Sequence, residues 1–330
     1  MENNSQKLQL QIKYANQKFT AAMHEISKVI VGQKNLIKNL FIALLADGHV
    51  LIEGLPGLAK TLSVTTLAKV INSNFKRIQF TPDLLPADLI GTSIFNQKEN
   101  SFSIHKGPIF TNILVADEIN RAPAKVQAAL LEVMQERQIT IAGETFKVAN
   151  PYMVLATQNP IEQEGTYNLP EAQIDRFLLK ITIDYPDLNE EKEIIDKMGK
   201  VEKKIAINSI LTEGDILHAR ELIDQIYIDD KIINFILNII FCTRSPEQFG
   251  LPEFKNYLSF GISPRGSIAL KLAAKSNAFI SGRSYVTPYD VQEVCHAVLR
   301  HRIKKTYEAE ADEISSDQII TRILEKIPAP

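Results

Sequence analysis

A chain of 330 residues with 45% hydrophobic and 23% charged side chains, 14 glycines and 15 prolines has the make-up of a packed globular protein, which excludes disordered and fibrous classes and leaves room for two domains. Its 37 basic and 39 acidic residues give a net charge of −2, shared evenly between the parts before and after residue 190, so neither part carries the basic surplus of a protein that grips nucleic acid by its phosphates. The two cysteines, Cys242 and Cys295, fit a reducing compartment without a disulfide framework.

The opening stretch, MENNSQKLQLQIKY, lacks the apolar centre of a signal peptide. The most apolar run, Ile232–Phe241, is ten residues long, where a spanning helix needs about 20. A cytoplasmic protein, with no membrane insertion and a buried helix at that run, is expected. Residues 17–46 carry two helical patterns parted at Val31-Gly32. Beyond them, apolar runs at His49–Glu53, Lys76–Phe80, Asn112–Ala116, Tyr152–Thr157 and Leu178–Ile183 alternate with helical stretches. Runs of this kind predict a five-stranded parallel sheet covered by helices on both faces. Two hairpins interrupt the alternation, at Ser93–Gly107 and at Ile139–Val148 with Ala142-Gly143-Glu144 as its turn; insertions that the sheet does not need are places for partner contacts. After Tyr185-Pro186-Asp187 only helical patterns remain, at 189–199, 212–224, 230–243, 264–281, 288–303 and 316–326. An α/β domain over 1–187 and an all-helical domain over 188–330 are therefore expected.

The first strand runs into Gly54-Leu55-Pro56-Gly57-Leu58-Ala59-Lys60-Thr61, followed by Leu62 and a helical stretch. This is the strand–loop–helix setting in which backbone amides cradle a phosphate. There Lys60 would reach the outer phosphates and the Thr61 hydroxyl would ligate Mg²⁺. Alone, the pattern also suits a tight strand–helix turn bearing a surface lysine. The third strand empties into Asp117 and Glu118, at the strand end where open α/β sheets bind ligands. Asp117 would hold Mg²⁺ and Glu118 would polarise the attacking water, although acidic residues also end strands as helix caps. The fourth strand ends in Gln158-Asn159-Pro160, where the Asn159 amide can orient that water. His296 and His301 stand five apart on a helical pattern, too far round to share a face, and with Cys295 they do not make a zinc set.

The loop, the Asp-Glu strand and the polar strand end, in this order before a helical domain, resemble the AAA+ ATPases. Glu53–Thr61 (EGLPGLAKT), Asp117–Pro123 (DEINRAP), Gln158–Gly165 (QNPIEQEG) and Pro170–Phe177 (PEAQIDRF) look in particular like the MoxR family, in which alanine is usual at the position of Ala59. The resemblance implies a P-loop NTPase core with a helical lid, Mg²⁺-dependent ATP hydrolysis and assembly into a homo-oligomer, a hexameric ring. It places Arg176 as the arginine finger that reaches a neighbouring subunit's γ-phosphate. Arg265, in Ile262–Gly266, becomes sensor 2, touching the nucleotide within its own subunit and moving the lid. Asn159 matches sensor 1, Val31-Gly32-Gln33 the segment beside the adenine, and the two hairpins the helix-2 insertion and the hairpin before sensor 1. Arg121 either faces a neighbour's phosphate or holds a helix start. Chaperone-like remodelling, maturation or metal-cofactor insertion in a client enzyme complex, with a partner bearing a von Willebrand factor A domain, is the implied role. An MCM-like nucleic-acid motor, which the balanced charge disfavours, and a non-catalytic nucleotide-sensing scaffold are the alternatives.

Overall fold

The computed structural model describes residues 2–55, 57–58, 60–98, 100–159, 166–199 and 205–330. Helices α1 (Glu2–Ser27) and α2 (Lys34–Leu45) precede β1 (Val50–Gly54), which leads through a short loop into α3 (Lys60–Val70). The chain continues through β2 (Phe75–Gln79), α4 (Pro86–Ile90), the hairpin β3 (Gly91–Asn96) and β4 (Ser101–Lys106), and β5 (Ile113–Asp117). A 3-10 turn at Ile119–Arg121 and α5 (Ala124–Glu136) lead to the second hairpin, β6 (Gln138–Ile141) and β7 (Glu144–Lys147). Then come β8 (Met153–Gln158), α6 (Glu171–Ile174) and β9 (Leu179–Ile183).

Five of these strands form one parallel sheet in the order β2-β5-β8-β1-β9. The five expected apolar runs become these strands, each displaced by at most one residue. Successive side chains point to opposite faces, and both faces are buried. Val50, Ile52, Val115, Leu155 and Ile181 enter one core with α1, α2 and α3, while Leu51, Leu114, Ala116 and Val154 enter a second with α5. β2 differs. It pairs only with β5 at the sheet edge, and its Lys76, Arg77 and Gln79 are exposed.

The helical domain comprises α7 (Leu188–Met198), α8 (Glu213–Gln225), α9 (Asp230–Arg244), α10 (Phe254–Tyr257), β10 (Leu258–Phe260), α11 (Pro264–Ile280), α12 (Pro288–Leu299), β11 (Lys304–Lys305), α13 (Tyr307–Ala311) and α14 (Ser316–Lys326). Four of its helix starts are written in the sequence as reciprocal capping boxes: Asp187 with Glu190, Thr212 with Asp215, Thr287 with Asp290 and Ser315 with Gln318. Several features depart from expectation, among them the short helices α10 and α13 between the expected ones. β10 and β11 pair as a small antiparallel ribbon, too short to leave a periodic signal in a domain read as all helical. The helix expected to reach residue 303 ends at Leu299, because the next three side chains turn toward the α/β domain and bond to it.

α1 ties the two domains together. Phe19 meets Phe41 of α2 at 6.1 Å and Phe279 of α11 at 5.4 Å, both edge to face. Asn16 Nδ2 donates to the terminal carbonyls of Phe279 and Ile280, and Gln9 Nε2 to that of Gly282, satisfying acceptors that a helix end leaves open. Among the described residues no helix is long and apolar enough to cross a membrane.

His49, wholly buried before β1, donates from Nε2 to Met134 O (3.1 Å) and accepts the Val154 N–H at Nδ1 (3.0 Å). Burial, helped by nearby Arg137, pushes its pKa down to about 3. The folded protein keeps the ring neutral, whereas the unfolded chain takes up a proton near pH 6.5. Stability present above that pH is therefore lost as the pH falls toward the folded value. We expect the urea midpoint to drop between about pH 7 and pH 5, with His49 contributing roughly 1.4 kcal/mol per pH unit below 6.5. His49→Asn should flatten that slope, and an unaltered slope in the variant would assign the loss to other groups.

Candidate functional site

The phosphate loop is shaped at its two glycines. A Cβ on Gly54 would lie 2.9 Å from the Ile183 carbonyl of β9, and Gly57 adopts φ +86°, a conformation suited to glycine, with nothing within 4 Å of its absent Cβ. The loop is thus tight against the sheet and open toward the cleft. α3 follows with no acidic residue in its first turn, so its positive end is left for an anion. Lys60 folds back over the loop and donates from Nζ to Gly54 O (2.6 Å). Leu55 and Leu58 are half-buried, Leu62 is exposed at the cleft, and Pro56, Ala59 and residues 160–165 lie outside the described residues. Gly32 (φ +76°) packs against the Glu190 carboxylate at the start of α7. This puts Val31-Gly32 on the β9 side of the loop, away from the acidic strand end.

β5 is buried throughout and delivers Asp117 beside the loop. Asp117 Oδ1 accepts from Thr157 Oγ1 (3.2 Å), and Oδ2 accepts from Arg77 Nε (2.5 Å) and faces Thr61 Oγ1 at 3.5 Å. Glu118 then takes a left-handed conformation, φ +55°, which swings its carboxylate off the strand direction. This conformation is costly for a non-glycine residue. Its backbone N–H donates to Thr157 Oγ1 (2.9 Å), and its Oε2 receives Gln79 Nε2 (2.7 Å) and Arg121 Nε (3.1 Å). Asn159, buried just past β8, lines the same cleft of about 340 Å³ with Gly57, Lys60, Thr61, Asp117 and Glu118.

Among the described residues no cluster of three or more His, Cys, Asp or Glu side chains could hold a metal ion by itself. The Thr61–Asp117 oxygen pair instead suits Mg²⁺, which takes few protein ligands and shares its shell with phosphate and water.

Arg176 and Arg265 are elsewhere. Together with His49, Arg137, Asp175 and Arg302 they line a separate pocket of about 270 Å³. Arg176 Nη1 donates to Leu131 O (2.7 Å), and Arg265 Nη1 lies 3.9 Å from Asp175. Residue 176 shortly precedes β9, whereas residue 60 follows β1, and these two strands run parallel side by side. The arginines therefore sit at the opposite ends of the strands from the phosphate loop, about a strand's length away. Arg265, expected to touch the nucleotide within its own subunit, thus lies away from that subunit's phosphate loop. The α11 start is pinned to Asp175 through Ser263 Oγ (3.2 Å), which places it beside Arg176.

No motif in the sequence singles out Arg77, Gln79 or Thr157. Their signal is in the pattern all the same: Arg77 and Gln79 alternate as polar residues within one strand run, and Thr157 is the polar close of another. Arg121, left open there, pairs with Glu118.

Known proteins resemble this chain across both domains. Residues 49–179 match the profile described as "ATPase family associated with various cellular activities (AAA)", and residues 254–323 match the AAA lid domain. The chain is 50% identical over 309 residues to Chaperone MoxR1 of Mycobacterium tuberculosis, covering 94% of this chain and 81% of that protein. The chain belongs to the MoxR family of AAA+ ATPases. Protein MoxR of Methylorubrum extorquens is 29% identical over 93% of each chain. The crystal structure of a provisionally assigned ATPase from Cytophaga hutchinsonii superposes with a TM-score of 0.92 at 47% identity, covering 99% of this MoxR-family chain and 98% of that one.

Proposed function

We propose that this MoxR-family chain hydrolyses ATP with Mg²⁺ as a homo-oligomeric ring, a hexamer, whose sites are shared between neighbours. The observation that carries the reading is the separation within one subunit. Lys60, Thr61, Asp117, Glu118 and Asn159 line one cleft, while Arg176 and Arg265 line another pocket at the opposite ends of the strands. Two unlike half-sites on one chain join head to tail, and a head-to-tail contact that closes makes a ring.

Lys60 and the loop amides hold the phosphates, and Asn159 orients the attacking water for Glu118 to polarise. Thr61 and Asp117 would hold Mg²⁺, which would supply positive charge against the phosphates. Arg77 and Arg121 presently occupy the carboxylates of Asp117 and Glu118, so nucleotide binding must loosen both ion pairs. Arg176 and Arg265 of the adjacent subunit supply the remaining positive charge, so hydrolysis requires assembly.

In this reading the work done is chaperone-like remodelling of a client enzyme complex in the cytoplasm, with a von Willebrand factor A domain protein as partner. The β3–β4 hairpin exposes Phe95 and Phe102, whose rings lie 5.1 Å apart, and is our candidate for client contact.

Phosphate release from ATP by the full chain tests this. Turnover per subunit should rise with protein concentration as rings form, vanish with EDTA and return with Mg²⁺. Turnover per subunit that stays constant on dilution to monomer would overturn the shared site. Tight ADP binding without turnover would favour the scaffold, and stimulation by DNA the nucleic-acid motor.

A further inference from the structure

The turn that carries Arg176 is held largely from the helical domain. Past the end of α12, Arg300 donates from Nη1 to Thr182 Oγ1 (2.8 Å) and Lys180 O (3.3 Å), and His301 donates from Nε2 to Phe177 O (3.0 Å). Arg302 goes deepest, with its side chain 4% exposed. Its Nε donates to Asp175 Oδ1 (2.8 Å), its Nη2 to Phe177 O (2.8 Å) and Asp175 O (3.2 Å), and its Nη1 to Leu178 O (3.1 Å). Burial lowers the Arg302 pKa to about 10, with Asp175 opposing the shift, so the guanidinium stays charged at neutral pH. The same Asp175 carboxylate accepts Ser263 Oγ at the start of α11 and lies 3.9 Å from Arg265. One planar fork thus grips the residues on both sides of Arg176, and one carboxylate joins that grip to Arg265.

We propose that Arg302 and Asp175 are positioning residues that lock the Arg176 turn and the start of α11 into one rigid unit, so that both arginines are aimed together at a neighbouring subunit's nucleotide. The proposal rests on the shared-site reading and adds what sets the aim. A lysine at 302 keeps the charge but not the fork that spans a carboxylate and several carbonyls, and a shift of about 1 Å in a reacting geometry costs on the order of 10²-fold in rate.

The test uses full-length Arg302→Lys and Asp175→Asn, measuring kcat and KM for ATP, binding of a fluorescent ATP analogue, and turnover in mixtures with Lys60→Ala subunits, whose arginines are intact. We expect kcat to fall by about 10²-fold for Arg302→Lys and less for Asp175→Asn, with KM and analogue binding unchanged and turnover restored in the mixtures. Unchanged kcat in both variants would overturn the proposal. So would mixtures that stay inactive while the matching mixture with Arg176→Ala recovers. If the Arg176→Ala mixture also fails, it is the shared-site reading that falls. Should Arg302→Lys not fold, Asp175→Asn, which keeps the side-chain shape and an acceptor for Arg302, carries the same comparison.

Discussion

Replacing Glu118 with glutamine should leave ATP binding intact and lower turnover by about 10²–10⁴-fold, the range for loss of a positioned general base. The expectation is sharp because the backbone there does not depend on the carboxylate. The left-handed turn at 118 is held by its N–H to Thr157, and Gln79 can donate to an amide oxygen as readily as to Oε2. Glutamine keeps shape and hydrogen bonding but takes up no proton. Single-turnover hydrolysis and titration with a slowly hydrolysed analogue separate the two effects, and normal turnover in the variant would remove Glu118 from the base role. A ring stalled in this state should also retain its client, so proteins that co-purify with Glu118→Gln, but not with Lys60→Ala, identify what it acts on.

Arg176→Ala should reduce turnover by roughly 10³-fold or more, the scale on which an arginine supplied from a neighbour acts, equivalent to about 4 kcal/mol of transition-state stabilisation. Its nucleotide affinity should stay close to that of the unaltered chain, since Lys60 and the loop lie at the other end of the strands. Lys60→Ala should fail for the opposite reason, through lost phosphate binding. Mixed, the two inactive variants should regain activity wherever an intact cleft meets an intact arginine. Recovery in the mixture and none in either variant alone is the expected result, and continued inactivity would place Arg176 in a structural role.

The parts of the site legible in the sequence are those made by neighbouring residues. Gly54 to Thr61 and Asp117-Glu118 are contiguous, and a buried strand emptying into a loop sets their backbone course with little help from the rest of the chain. The strands themselves follow from apolar runs that only a sheet covered on both faces can bury, and the helix starts from capping pairs three residues apart. The clamp on Glu118 was harder to read, because Gln79 reaches it through the pairing of β2 with β5, which no local pattern specifies.

The sequence by itself thus determined the parallel sheet, the phosphate loop, the acidic strand end and the family. Only the tertiary structure placed Arg265 and Arg176 together, at the strand ends away from the phosphate loop. Their position depends on how helices distant in sequence dock: Phe19 wedged between Phe41 and Phe279, and Arg302 buried against Asp175. Such docking is settled by burial and by ion pairs across the domain boundary, so a motif that names a residue's type leaves open at which end of the strands it will lie.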